Sequence, residues 1–214
     1  MLPTPTITTF VLATLGAGDQ SDQSSEAVVG AATMTVRIKS GRASFALASF
    51  ILQPSEPTEN LLAWIDTQLQ DEQATLALYW PDRVVELLER LPGAELSPGV
   101  RSLKGNGAQP LIRMLIEDQE GFMSLSKACA CFSIACASPD ADARFAAWSG
   151  NDVGQIAADA ELDAIAAWRM AINAIGRKNA LGAKLATILR RHLAEWLFDT
   201  DHPYSRIRFG QPAN

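Results

Sequence analysis

Histidine is scarce in this chain: of 214 residues only His192 and His202 carry an imidazole. That leaves little material for the commonest acid–base chemistry near neutral pH, and a Ser-His-Asp arrangement would have to be built around one of these two. Catalytic signatures are missing as well. LKGNGAQP at 103–110 has two glycines but no lysine–hydroxyl pair after them, so it is no phosphate loop, and neither a G-x-S-x-G elbow nor an H-E-x-x-H helix occurs. Cysteine is confined to Cys129, Cys131 and Cys136, within KACACFSIAC. An odd number in one apolar stretch argues against a disulfide framework and suits a reducing compartment, and a zinc site would need a fourth ligand that neither histidine offers at a suitable spacing. The three are read as small buried hydrophobes. No apolar run reaches the ~18 residues of a membrane span. The start, MLPTPTITTF, lacks the basic head and small-residue cleavage site of a secretory signal. A soluble cytoplasmic protein without a membrane partner is expected.

What is present is globular. Hydrophobic residues make up 48% and charged residues 20% of the chain, and the length suits one domain that buries a real core. The net charge of −6 argues against broad affinity for nucleic acid. Its distribution is uneven, however. From Gly176 onward Arg177, Lys178, Lys184, Arg190, Arg191, Arg206 and Arg208 face only Glu195, Asp199 and Asp201. Such a basic end suits phosphate, with Arg177, Lys178, Arg190 and Arg191 as the candidate nucleic-acid contacts, or an acidic protein surface on the same or a second subunit.

Periodicity divides the chain. Ile7–Leu15 is β-branched and apolar on both faces, as a central strand should be. GAGDQSDQSSE reads as a loop. AVVGAATMTVRIK alternates at its end, SGR at 40–42 signals a tight turn, and ASFALASFILQP continues as a strand whose apolar phase changes, predicting a bulge near Ala48. These three form an antiparallel meander. Leu61, Leu62, Ile65 and Leu69 then mark a helix, TLALYW at 75–80 a short strand, and PDRVVELLERLPG a helix opened by Pro81 with Asp82 in its first turn. Helices are expected from about Pro110 to Glu117 and Ser124 to Ala135, a loop at CASPDADARF, and long helices from about Asp159 to Ile175 and Ala180 to Phe198. In the last, Leu181, Leu185, Ile188, Leu189, Trp196 and Leu197 form a wide apolar face that either packs on the parent domain or joins a homodimer. Core packing is the expected role of Trp64, Trp168 and Trp196, although tryptophans, Trp80 and Trp148 among them, also stack bases in single-strand binders.

An antiparallel three-strand meander extended by parallel βα units, with an extra C-terminal helix, is the α/β ribonuclease H-like architecture. Over residues 5–176 the pattern resembles a DEDD-type 3′–5′ exonuclease domain. The family's first strand reads much like F-D-x-E-T-x-G, and FVLATLG keeps Phe10, Thr14 and Gly16. SLSKACACFSIA at 124–135 resembles a late family helix. ADAELDAIAAWRMAINAIG resembles the last one and supplies Asp163. The family's two first-strand acids are replaced by Val11 and Ala13, and the Tyr or His before the last acid is replaced by Asp159 and Ala158. The resemblance therefore implies a degenerate exonuclease domain over 1–176 with a helical extension over 177–214 packed on it.

Two-metal hydrolysis needs carboxylates that grip two divalent ions about 4 Å apart. Asp163 matches one family acid and Asp82 weakly another, which is too few. The leading expectation is a non-catalytic relative without cofactor, retained to bind single-stranded nucleic acid or a protein. The alternatives are a divergent Mg²⁺ or Mn²⁺ nuclease that recruits Asp19, Asp22, Asp82 and Asp163, and a purely structural subunit. Asp82 also has an ordinary role, as an acid beside a helix N-terminus.

Overall fold

The β-branched, two-faced first strand is explained by its place. In the computed structural model β1 (Thr6–Leu15) is the middle strand of a five-stranded sheet. The structure describes residues 5–16, 26–119, 121–137, 140–202 and 204. β2 (Ala27–Lys39) and β3 (Arg42–Ile51) follow as antiparallel neighbours, turning at Ser40-Gly41. β4 (Thr75–Tyr79) returns parallel to β1, and β5 (Leu111–Met114) runs parallel to β4. The order across the sheet is β3-β2-β1-β4-β5, a mixed α/β arrangement.

Among the described residues seven α-helices accompany it: α1 (Thr58–Gln68), α2 (Pro81–Glu89), α3 (Pro98–Leu103), α4 (Leu125–Cys131), α5 (Ala141–Ser149), α6 (Gly154–Gly176) and α7 (Ala180–Asp199). A two-stranded ribbon, β6 (Glu117–Asp118) and β7 (Gly121–Phe122), stands apart from the sheet. No helix among the described residues is long and apolar enough to cross a membrane.

One face of the sheet packs on α6 and α7. Val11, Ala13, Met34, Val36 and Phe45 meet Ile165, Trp168, Ile172, Leu189 and Leu193 there. The other face packs on α1, α2 and α3 through Phe10, Leu76 and Leu78 against Leu61, Ile65, Leu88 and Leu103. Trp168 is wholly buried beside Phe45, with ring centroids 5.6 Å apart in an edge-on arrangement, which bears out its core reading. Thr9 is polar but satisfied: its hydroxyl donates to the Ala164 carbonyl at 3.1 Å and so ties β1 to α6.

Several expectations are corrected. The stretch predicted as a helix from Pro110 to Glu117 contains β5, because Leu111, Met114 and Leu115 match a helical spacing while the backbone is needed to cover the edge of β4. Asp140 opens a helix inside what reads as a loop: its side chain accepts from the Ala143 amide at 2.8 Å and starts α5. α4 stops at Cys131, earlier than expected, where the chain turns back through Ser133 in a left-handed conformation (φ 53°). α6 begins at Gly154, five residues ahead of the expected start.

The bulge expected near Ala48 is absent. β2 and β3 pair without a break from Gly30–Ile51 to Lys39–Arg42. Phe45 and Leu47 face α6 and α7, whereas Phe50 and Leu52 face α1, where Phe50 stacks on Trp64. Both faces of the strand's second half are covered, so the change of apolar phase is a change of cover. The irregularity lies instead between β1 and β2: Ala13 opposes Gly30 and Thr14 opposes Val28, leaving Val29 over. Gly30 is required there, since a Cβ would sit 2.4 Å from the Phe50 carbonyl oxygen.

Candidate functional site

β4 stops at Tyr79 while its parallel neighbour β1 runs on to Leu15, and a pocket of about 220 Å³ opens beside β1 where β4 has ended. Its wall takes Phe10, Val11 and Thr14 from β1, Tyr79 and Trp80 from the end of β4, Arg83 from α2, Ser124 and Leu125 from the start of α4, and Asp163 from α6. Trp80 adopts a left-handed conformation (φ 49°, ψ 62°), unusual for a bulky residue and strained by ~1 kcal/mol or more. Its amide donates to the Met114 carbonyl at 2.8 Å and its ring leans on Phe122, which together hold it there.

Positions 11 and 13 lie on the side of β1 that faces α6. Val11 lines the pocket together with Asp163, and Ala13 is enclosed in the adjoining core, 1% exposed. Asp163 does not point freely into the opening. One of its oxygens, Oδ1, accepts from the Cys136 thiol at 2.9 Å and from the Ala137 backbone amide at 2.8 Å. Burial pushes its carboxyl up to about 6, against the downward pull of those two donors and of Arg144. The Cys136 thiol is held well above its ordinary value by its hydrogen bond with Cys129, by burial and by the charge of Asp163. It therefore acts as a hydrogen-bond donor and not as a thiolate.

One turn earlier, Asp159 occupies the position where the resemblance calls for Tyr or His. It is occupied too: Arg144 of α5 reaches it at 3.3 Å, and the Gln155 amide donates to it at 2.8 Å. The same guanidinium donates to the Thr14 carbonyl at the end of β1, 3.2 Å away. A fixed organic cation thus spans the space between the first strand and the acids of α6. Across the mouth, Glu26 pairs with Arg83 at 2.7 Å, and Arg83 also meets Glu86. Tyr79 donates to the Met123 carbonyl at 2.8 Å, and burial pushes its phenol up to about 12.

The residues present do not fit a pair of divalent cations. Val11 and Ala13 offer no oxygen, and among the described residues no three of His, Cys, Asp or Glu gather to hold a metal. Asp82 does not line the pocket; it sits on the surface in an ion pair with Arg113 at 2.6 Å. Asp19 and Asp22 lie outside the described residues. The four basic candidates are not gathered around the pocket either. Arg177 lies over the Phe132 ring at 4.6 Å, Arg190 donates to Asn173, Arg191 pairs with Glu195 at 3.6 Å, and Lys178 is exposed just beyond the end of α6.

Sequence reasoning missed Arg144, Cys136, Glu26 and Arg83. The Asp140 cap was the local signal for the helix that carries Arg144. Comparison with family models, with curated proteins and with solved structures gives no match for this chain.

Proposed function

We propose that this chain is a catalytically degenerate relative of the DEDD-type 3′–5′ exonucleases on a ribonuclease H-like scaffold, retained as a metal-independent binding protein for the end of a single nucleic-acid strand. The strand order β3-β2-β1-β4-β5, with an antiparallel meander and two parallel additions, supports the scaffold reading. So does α6 crossing β1 next to the pocket.

One observation carries the functional reading: Val11 stands beside Asp163 in the pocket wall, and that carboxylate is already committed to Cys136 and Ala137. Two-metal hydrolysis needs several free carboxylates around about 4 Å of space between ions. This wall supplies one, with hydrocarbon where the bridging acid would be. What remains suits binding. Trp80, half-buried in the wall, offers an indole face on which a base stacks, and Arg83, ion-paired with Glu26 and Glu86, lines the mouth.

Fluorescence anisotropy with a labelled single-stranded oligonucleotide, run beside a strand-shortening assay in Mg²⁺ or Mn²⁺, tests this. Binding should survive EDTA, the strand should stay intact, and Trp80→Ala should weaken binding about tenfold. Divalent-dependent shortening that Asp163→Ala abolishes would replace this reading with an active nuclease. Absence of binding to any oligonucleotide would leave a protein-interaction module or structural subunit.

A further inference from the structure

β3 is an edge strand of ten residues, and nothing in its sequence protects it. Exposed edges are ordinarily blunted by lysine, proline, a bulge or brevity. Between Ala43 and Leu52 there is no charged residue and no proline, and the pairing with β2 is regular throughout. The direction of each backbone group follows from one bond. The Leu52 amide donates to Val29 of the neighbouring chain segment at 2.7 Å, so even-numbered residues bond inward and odd-numbered ones face out. Consistent with this, the Ala43 amide donates outward to His192 Nδ1 at 3.4 Å. The next three outward amides, those of Phe45, Leu47 and Ser49, have no hydrogen-bond partner among the described residues.

We propose that this edge pairs with β3 of a second copy of the chain, antiparallel about a two-fold axis at Leu47, joining two sheets into one. An antiparallel edge is its own complement. Leu47 falls opposite Leu47 and Phe45 opposite Ser49, and about six new backbone hydrogen bonds satisfy every outward group between them. The charges select the same partner and the same direction. Arg37, Lys39 and Arg42 are exposed at the strand's beginning, whereas Glu56 and Glu59 follow its end and Glu161 bonds to Ser49 at 2.7 Å. Antiparallel pairing lays each basic end beside the partner's acidic end. One edge strand makes a smaller contact than the roughly 800 Å² per partner of a standard interface, so the association is expected to be weak and concentration-dependent.

Sedimentation velocity on the full chain from about 5 to about 200 μM reads the association. The wild-type chain should pass from monomer to dimer across that range, and amide exchange at Phe45, Leu47 and Ser49 should slow as concentration rises. Ala46→Lys changes an exposed residue whose amide faces β2, and sets two lysines diagonally across the axis. It should stay monomeric with unchanged circular dichroism and Tm. Ile188→Glu, on the exposed side of α7, should leave the dimer intact. A wild-type chain still monomeric at the highest concentration overturns the proposal. So does a dimer that Ala46→Lys spares or Ile188→Glu destroys. A monomer with these three amides protected at every concentration overturns it too, assigning the edge to the chain's own residues 205–214.

Discussion

The two ends of α6 carry opposite charges and opposite fates. Near its start Asp159 and Asp163 lie one turn apart, and each is engaged by groups from distant parts of the chain: Arg144 for the first, Cys136 and Ala137 for the second. Beyond its end Arg177 and Lys178 are exposed, Arg177 lying over the Phe132 ring. About 21 Å of helix separates Asp163 from Arg177 at ~1.5 Å per residue, so the bases do not serve the pocket. The difference teaches where charge is costly. Acids enclosed by three elements depend on every partner, while bases at a solvated helix end depend on none.

The sharpest way to break this contrast is to place acids on β1 beside Asp163. Val11→Asp with Ala13→Glu buries two unpaired carboxylates beside Asp163 and should destabilise the chain by about 5 kcal/mol or more in thermal melts. Millimolar Mn²⁺ should raise the Tm of that variant and leave the parent's unmoved, because only the variant gathers three carboxylates at the end of β1. Next in size, Arg144→Met leaves Asp159 and the Thr14 carbonyl without their cation and should cost about 3 kcal/mol in urea unfolding.

Asp163→Asn should act through pH. The folded carboxyl, raised to about 6 from 3.8, holds its proton more tightly than the unfolded chain does. It therefore contributes stability in acid that is lost as pH rises through about 6. Allowing for partial solvent contact, the parent should lose about 1–2 kcal/mol across that window, and the asparagine variant should not. Smallest of all, Arg177→Ala or Arg191→Ala should change stability by less than about 0.5 kcal/mol. Neither should alter oligonucleotide binding, and a marked loss of binding would move the site to the helix end.

Most of the sheet was legible because its evidence is local. β1 and β2 announce themselves through β-branched runs, β4 through a short apolar run, and α2 through Pro81. β5 was not, since four residues with leucine and methionine three apart satisfy either period, and only the edge of β4 decides between them. The place of the pocket was half legible. Val11 and Asp163 line one pocket with Ala13 in the core beside it, yet nothing near Asp163 in sequence announces a thiol 27 residues away that donates to it. Nor does Arg144 advertise its bond to Thr14, 130 positions earlier. Cross-chain partners of this kind decide whether an acid is free for chemistry, and they are the part a linear reading loses.

The Thr9–Ala164 bond joins residues 155 positions apart, and it has a consequence for biosynthesis. The central strand leaves the ribosome long before the helix that must cover it, so one apolar face of the sheet stays open until that helix is made. A chain ordered in this way should fold only once α6 has been made, slowly for its size, and its yield in a cell should follow the supply of chaperones that shield hydrocarbon in the interval.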